Sequence, residues 1–142
     1  MMTAETRLRI FLRVLGAVAM LAVAAVFMPR EWMDISHRWL GMGPLPQGPI
    51  VEYLARSTSM FYAIFGGVIW ILASDVRRFG RAITVMAVGM MVGAPVMLMI
   101  DLRAGMPAWW IGMEGPVIFL FGVLTLVLRI RMVQSSRFQV QS

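Results

Sequence analysis

The strongest constraint on this chain is a set of four apolar runs, each long enough to cross a bilayer as a helix. They occupy about residues 8–28, 50–74, 80–100 and 107–128. A helix rises 1.5 Å per residue, so about 20 apolar residues cover roughly 30 Å of membrane hydrocarbon. A soluble domain of 142 residues, 60% of them hydrophobic, would be unable to bury its apolar surface. We therefore predict an all-α membrane protein whose single domain, residues 1–142, is a four-transmembrane-helix bundle.

Proline and glycine mark the ends of these runs. Pro29 disfavours helical geometry at Met28 and ends the first run, and "GPI" at 48–50 opens the second. "SDVRRFGR" at 74–81 separates the second run from the third, and "AGMP" at 104–107 opens the fourth. The first run also resembles a signal peptide, because arginines precede its alanine-rich part. We expect an uncleaved helix there.

Arginine placement predicts the orientation. All 13 basic residues are arginine, and the formal net charge is +6. They lie at the ends of apolar runs, so they act as topology signals, and we expect no nucleic-acid partner. Nine fall in segments that share one side of a four-span chain: Arg7, Arg9, Arg13, Arg77, Arg78, Arg81, Arg129, Arg131 and Arg137. Only Arg30, Arg38 and Arg103 fall in the other two loops. This asymmetry predicts a multi-pass protein of a bacterial inner membrane with both termini cytoplasmic.

The long connection between the first two runs contains an amphipathic pattern, "REWMDISHRWL". At helical spacing Trp32, Ile35 and Trp39 share one face, and the charged residues share another. We predict a short interfacial helix at about 31–40 in the first outer loop, the alternative being an irregular surface loop. Four tryptophans are expected to serve as interfacial anchors: Trp32, Trp39, Trp109 and Trp110.

Two opposite charges lie at matching depth inside the predicted spans. Counted from the outer face, Arg56 and Glu114 are each roughly 10 Å into a helix. Glu52 is one helical turn from Arg56, and Asp101 ends the third span at the same level. Charges in hydrocarbon are costly, so these four residues predict a polar cluster in which Glu114 neutralises Arg56. A structural ion-pair network, a ligand or proton pocket, and snorkelling to the interface all fit this pattern.

Small residues indicate where helices approach closely. Gly89 and Gly93 form a GxxxG pair in the third span, which suits either internal packing or dimerisation. Gly16 in the first span and Gly66 and Gly67 in the second are expected to serve the same kind of packing.

Catalytic and metal-binding patterns are missing from the sequence. It has no cysteine and one histidine, and no serine, histidine and aspartate are spaced as a nucleophile with its base. Fifteen methionines suit Cu(I), but methionine is also an ordinary apolar filler. We expect a protein that is not an enzyme and has neither metal nor cofactor.

The stretches "EYLARSTSMFYAIFGG" and "DLRAGMPAWWIGMEGP" resemble a pattern of small, uncharacterised four-helix membrane proteins of bacteria. The resemblance covers about residues 52–116 and implies the architecture and the pairing of a second-span arginine with the fourth-span motif. The expected function is an accessory or self-assembling subunit, with the lipid bilayer and other membrane subunits or itself as partners. The alternative is a small transporter or channel that uses Arg56 and Glu114.

Overall fold

The computed structural model describes residues 2–141, with side chains up to residue 135, and the regular structure there is entirely helical. The helices are α1 (Ala4–Met20), α2 (Val23–Val26), α3 (Arg30–Trp39), α4 (Pro49–Leu72), α5 (Gly80–Ala104) and α6 (Ala108–Gln141). Four segments of this part of the chain are long and apolar enough to cross a membrane: Ala4–Val26, Pro49–Leu72, Gly80–Ala104 and Ala108–Ser135. The predicted four apolar helices are confirmed.

Helix boundaries follow the sequence signals at most ends. Pro29 separates α2 from α3, and its own ψ of 149° is outside the helical region. Gly105 ends α5 in the left-handed region, at φ 67°, which glycine adopts without a Cβ clash. The last helix is longer than the predicted span and continues to Gln141, since no proline follows Pro116. The part beyond the apolar run contains three arginines, Arg129, Arg131 and Arg137.

The residues divide into two compact units. Val14–Trp70 forms one, called the central unit here. The segment up to Arg13 and the segment from Ile71 onward form the other, the terminal unit. The single-domain organisation stays a prediction.

In the central unit, α1 and α4 touch backbone to backbone at two glycines. A Cβ built on Gly66 would lie 2.6 Å from the carbonyl oxygen of Gly16, and one on Gly16 would lie 2.8 Å from that of Gly66. The predicted packing role is therefore confirmed for these two residues. Gly67 does not pack within the chain, since its Cβ would meet no atom within 4 Å, and packing against another chain stays a prediction for it. Gly67 lies one position further along α4, which rotates it by about 100° away from the contact.

In the terminal unit, α5 and α6 form an antiparallel hairpin packed through small residues. Every seventh residue of α5 is buried: Gly80, Ala87, Ala94 and Asp101. Two glycines of α6 face this seam. A Cβ built on Gly115 would lie 3.0 Å from the carbonyl oxygen of Ala94, and one built on Gly122 would lie 2.8 Å from that of Ala87. Heptad spacing keeps one seam of a helix against its neighbour along its whole length.

Candidate functional site

Arg56 of α4 binds the end of the first apolar segment. Its Nη1 donates to the carbonyl oxygen of Val26 at 2.6 Å, and its Nη2 donates to that of Met28 at 3.1 Å. The last carbonyls of a helix have no partner within the helix and carry a partial negative charge. A guanidinium with several donors satisfies two of them at once. Arg56 thus caps the end of α2.

Glu52 lies between two arginines. It is 3.8 Å from Nη2 of Arg56, one helical turn away, and its Oε1 accepts a hydrogen bond of 2.6 Å from Nη1 of Arg30. Arg30 also donates to the carbonyl oxygen of Pro46 at 3.1 Å. These three charged side chains, with the carbonyls of Val26 and Met28, are called the arginine clamp below.

The arginine clamp joins four parts of the central unit: the end of α2, the start of α3, the return loop and α4. Its charged side chains are each about one third exposed, at 34% for Arg30, 33% for Glu52 and 35% for Arg56. Partial exposure avoids most of the desolvation cost of a buried charge. The clamp therefore holds the connection between the first two spans onto α4.

The connection is tied down by further polar bonds around α3. Asp34 accepts the backbone N–H of Leu45 at 2.7 Å and Nε of Arg38 at 2.8 Å. The Leu45 N–H, followed by the Arg38 guanidinium, holds the pKa of Asp34 below its ordinary value. Nδ1 of His37 lies 2.8 Å from the carbonyl oxygen of Gly43. A helix is present at Arg30–Trp39, with the return loop bonded to it, and its position at the membrane interface stays a prediction.

Glu114 has a local partner on its own helix. Its carboxylate accepts a hydrogen bond from the indole Nε1 of Trp110, one turn earlier in α6. The Trp110 ring in turn packs edge to face on Trp109, with the centroids 5.4 Å apart. Glu114, Trp109 and Trp110 thus form a local cluster near the start of α6.

Asp101 is the most buried acid of the predicted cluster. Its relative exposure is 4%, and within the described part of the chain its Oδ2 has no hydrogen-bond partner. A buried polar atom without a hydrogen-bond partner costs free energy, so Asp101 is a candidate functional residue.

The four predicted cluster residues are distributed over both units. Glu52 and Arg56 lie together in the central unit, whereas Asp101 and Glu114 belong to the terminal unit. The pairing of Arg56 with Glu114 joins these units and stays a prediction. The sequence reasoning missed Arg30 as a partner of Glu52 and the carbonyls as acceptors for Arg56. Pro29 was the available signal, because a helix that ends there leaves free carbonyls just before it.

The predicted anchors differ in exposure. Trp39 is 85% exposed and Trp32 64%, on the same side of α3 as Ile35. The opposite side of α3 buries Met33. Trp109 is also exposed, whereas the Trp110 ring is partly covered.

Gly89 and Gly93 lie on a side of α5 that the hairpin does not use. A Cβ on either residue would meet no atom within 4 Å. Around them are exposed valines, Val85, Val92 and Val96. We call these five residues the α5 glycine face. Packing of α5 on α6 uses the heptad residues instead.

The described side chains include no group of three histidine, cysteine, aspartate or glutamate residues that would hold a metal ion. Together these features define a helical protein with four membrane-length apolar helices and a charged clamp at one interhelical connection. No family model, no curated protein and no solved structure matches the chain.

Proposed function

We propose that this chain is a small, non-enzymatic integral membrane protein of a bacterial inner membrane that acts as a self-assembling or accessory subunit. The observation that carries the proposal is the α5 glycine face. Gly89 and Gly93 form a GxxxG pair that the helix hairpin leaves open. The small residues that pack the hairpin are different ones.

An open GxxxG face suits association in lipid. Helices in a bilayer gain little from the hydrophobic effect, so they associate through close packing of small residues. Val85, Val92 and Val96 flank the glycines. Valine has one strongly preferred rotamer in a helix, so it loses little side-chain entropy when a second helix packs on it. The partner we favour is α5 of a second copy.

The test is self-association of the full chain in vesicles at a low protein-to-lipid ratio, measured by energy transfer between labelled copies. Gly89→Ile and Gly93→Ile should abolish energy transfer, because a branched side chain prevents close approach of the helices. At both positions an added Cβ meets no atom of the chain within 4 Å, so the changes act on the exposed face of α5.

Gly112→Ile is the matched control. Gly112 is also helical and also open, but it lies on α6. Energy transfer should be retained in this variant. Equal energy transfer in all three variants and the wild type would reject the α5 glycine face as an association surface.

The proposed orientation has both termini in the cytoplasm and α3 at the outer interface. It is supported by the nine-to-three arginine asymmetry and by the exposed tryptophans of α3. A reporter fused after Ser142 should be cytoplasmic, and one inserted near Gly43 should be periplasmic. Quenchers at headgroup depth should quench Trp32 and Trp39 more strongly than quenchers at the bilayer centre.

A second candidate is a solute or proton pathway. It is favoured by Asp101, a buried carboxylate with an unpartnered oxygen in the described part of the chain. Intramembrane carboxylates of this kind occur in proton relays. Proton flux into vesicles that contain the chain, lost in Asp101→Asn and retained in the exposed Asp75→Asn, would favour this function over the subunit role.

A further inference from the structure

A groove beside Arg129 is lined by both polar and aliphatic side chains. It has a volume of about 360 Å³ and is lined by Thr84, Leu126, Arg129, Ile130, Val133 and Gln134. Three of these side chains are polar and three are aliphatic. A groove of this kind offers one region for a charged group and another for hydrocarbon.

The charged region is formed by a guanidinium held in a fixed place. Arg129 packs directly on Gly80, where an added Cβ would lie 2.7 Å from Cζ. Its Nε points to the carbonyl oxygen of Gly80 at 3.5 Å, and the Thr84 hydroxyl donates to the same oxygen at 3.0 Å. Gly80 therefore leaves room for the guanidinium between the two helices, where a larger residue would force it to shift.

The positive charge of Arg129 is incompletely compensated. Its Nη1 is buried and has no hydrogen-bond partner within the described residues, and none of the ion pairs there includes Arg129. A cation withdrawn from water is costly unless an anion or several acceptors accompany it. An anionic group in the groove would provide that compensation.

The groove lies at the ends of two predicted spans, where we expect the lipid headgroups. The fourth apolar run ends at Leu128, one residue before Arg129, and the third begins at Gly80. Val127 and Ile130, on the same turn of α6, are exposed apolar side chains. Two other arginines of the terminal unit, Arg9 and Arg77, have a carboxylate partner, since Glu5 pairs with Arg9 at 3.0 Å and with Arg77 at 2.6 Å.

We infer that the Arg129 groove binds the phosphate of an anionic glycerophospholipid. Arg129 pairs with the phosphate, the Gln134 amide donates a hydrogen bond to the headgroup, and Leu126, Ile130 and Val133 contact the upper acyl chain. A guanidinium binds phosphate strongly because its fork of donors matches the phosphate oxygens. This inference does not depend on self-association through the α5 glycine face.

The experiment is native mass spectrometry of the full chain in detergent, with phosphatidylglycerol, phosphatidylcholine or inorganic phosphate added separately. Phosphatidylglycerol should stay bound preferentially. Arg129→Gln should weaken its binding about tenfold, as expected for loss of a charged hydrogen-bonding partner. Arg131→Gln is the matched control, because Arg131 is exposed on the same helix and does not line the groove. It should bind the lipid like the wild type.

Two further variants keep the test decisive if Arg129→Gln is unstable. Arg129→Lys retains the charge and should recover part of the binding. Ile130→Trp fills the groove and leaves the guanidinium in place, so it should also weaken lipid binding. Equal binding of the two phospholipids, equal losses in Arg129→Gln and Arg131→Gln, or unchanged binding in Ile130→Trp would each overturn the inference. Binding of inorganic phosphate as strong as that of the lipid would reject a lipid ligand.

Discussion

The guanidinium of Arg56 caps the carbonyl oxygen of Val26 at 2.6 Å, thirty residues away in the sequence. Through this bond an arginine of a membrane-length helix becomes a structural cap for a helix that stops short of Pro29. It also explains how a charge in a predicted span can be satisfied by neutral acceptors. The backbone supplies oxygen atoms where the helix ends, and Glu52 supplies the negative charge.

We predict that Arg56→Met lowers the free energy of unfolding in detergent by about 1 to 2 kcal/mol, because two carbonyls lose a charged donor that is itself partly exposed. Arg56→Lys should lose less, since an ammonium keeps the charge but cannot span both carbonyls as a fork does. Arg103→Met, at an exposed position near the end of α5, should have little effect. Denaturant unfolding followed by circular dichroism gives these values. Equal losses at positions 56 and 103 would contradict the capping role.

We predict opposite effects of alanine at two adjacent glycines. Gly66→Ala should destabilise the chain by about 1 to 3 kcal/mol, because the new Cβ meets backbone atoms that cannot move aside. Those atoms are the carbonyl oxygen of Gly16 at 2.6 Å and the amide nitrogen of Met20 at 2.7 Å. Gly67→Ala should be neutral or stabilise the chain by up to about 1 kcal/mol through helix propensity. Thermal unfolding of the two variants in the same detergent makes the comparison, and equal melting temperatures would refute the predicted contact.

The proposed pairing of Arg56 with Glu114 is tested by a double-mutant cycle. Glu114→Gln removes the charge but retains an oxygen acceptor for the Trp110 indole, so the cycle isolates the charge interaction. If the residues are partners, the combined loss in Arg56→Met with Glu114→Gln should be smaller than the sum of the single losses by about 0.5 to 3 kcal/mol. Additive losses would show that the two charges are satisfied separately, Arg56 by the arginine clamp and Glu114 by Trp110.

The hydrogen bonds of Asp34 predict that the stability of the connection between the first two spans depends slightly on pH. The pKa of Asp34 is lowered on folding from 3.8, so its contribution to stability is present above that value and is lost as the pH falls through the lower folded pKa. Below this range the Leu45 N–H should lose protection from hydrogen exchange, as observed by nuclear magnetic resonance. Asp34→Asn should abolish the pH dependence, and Glu31→Gln should leave it unchanged. A Leu45 amide that is equally protected at all pH values would contradict the prediction.

The helices and most of their ends could be predicted from local properties of the chain. Length and hydropathy are local properties, so the four apolar runs predicted the membrane-length helices, and Pro29 and Gly105 ended helices because of their own backbone restrictions. The helical period also predicted α3 from the spacing of Trp32, Ile35 and Trp39.

Which residues contact each other depends on how the helices pack, and local patterns did not predict it. A rotation of about 100° separates consecutive helix residues, so Gly66 packs on α1 while Gly67 is open, and composition does not distinguish them. For the same reason Gly115 and Gly122 lie in the interface between α5 and α6. Gly89 and Gly93, although they form a GxxxG pair, lie outside that interface. The acceptors of Arg56 are backbone carbonyls, which every residue has. Their availability depends on where the chain folds back, and that is set by packing of distant segments.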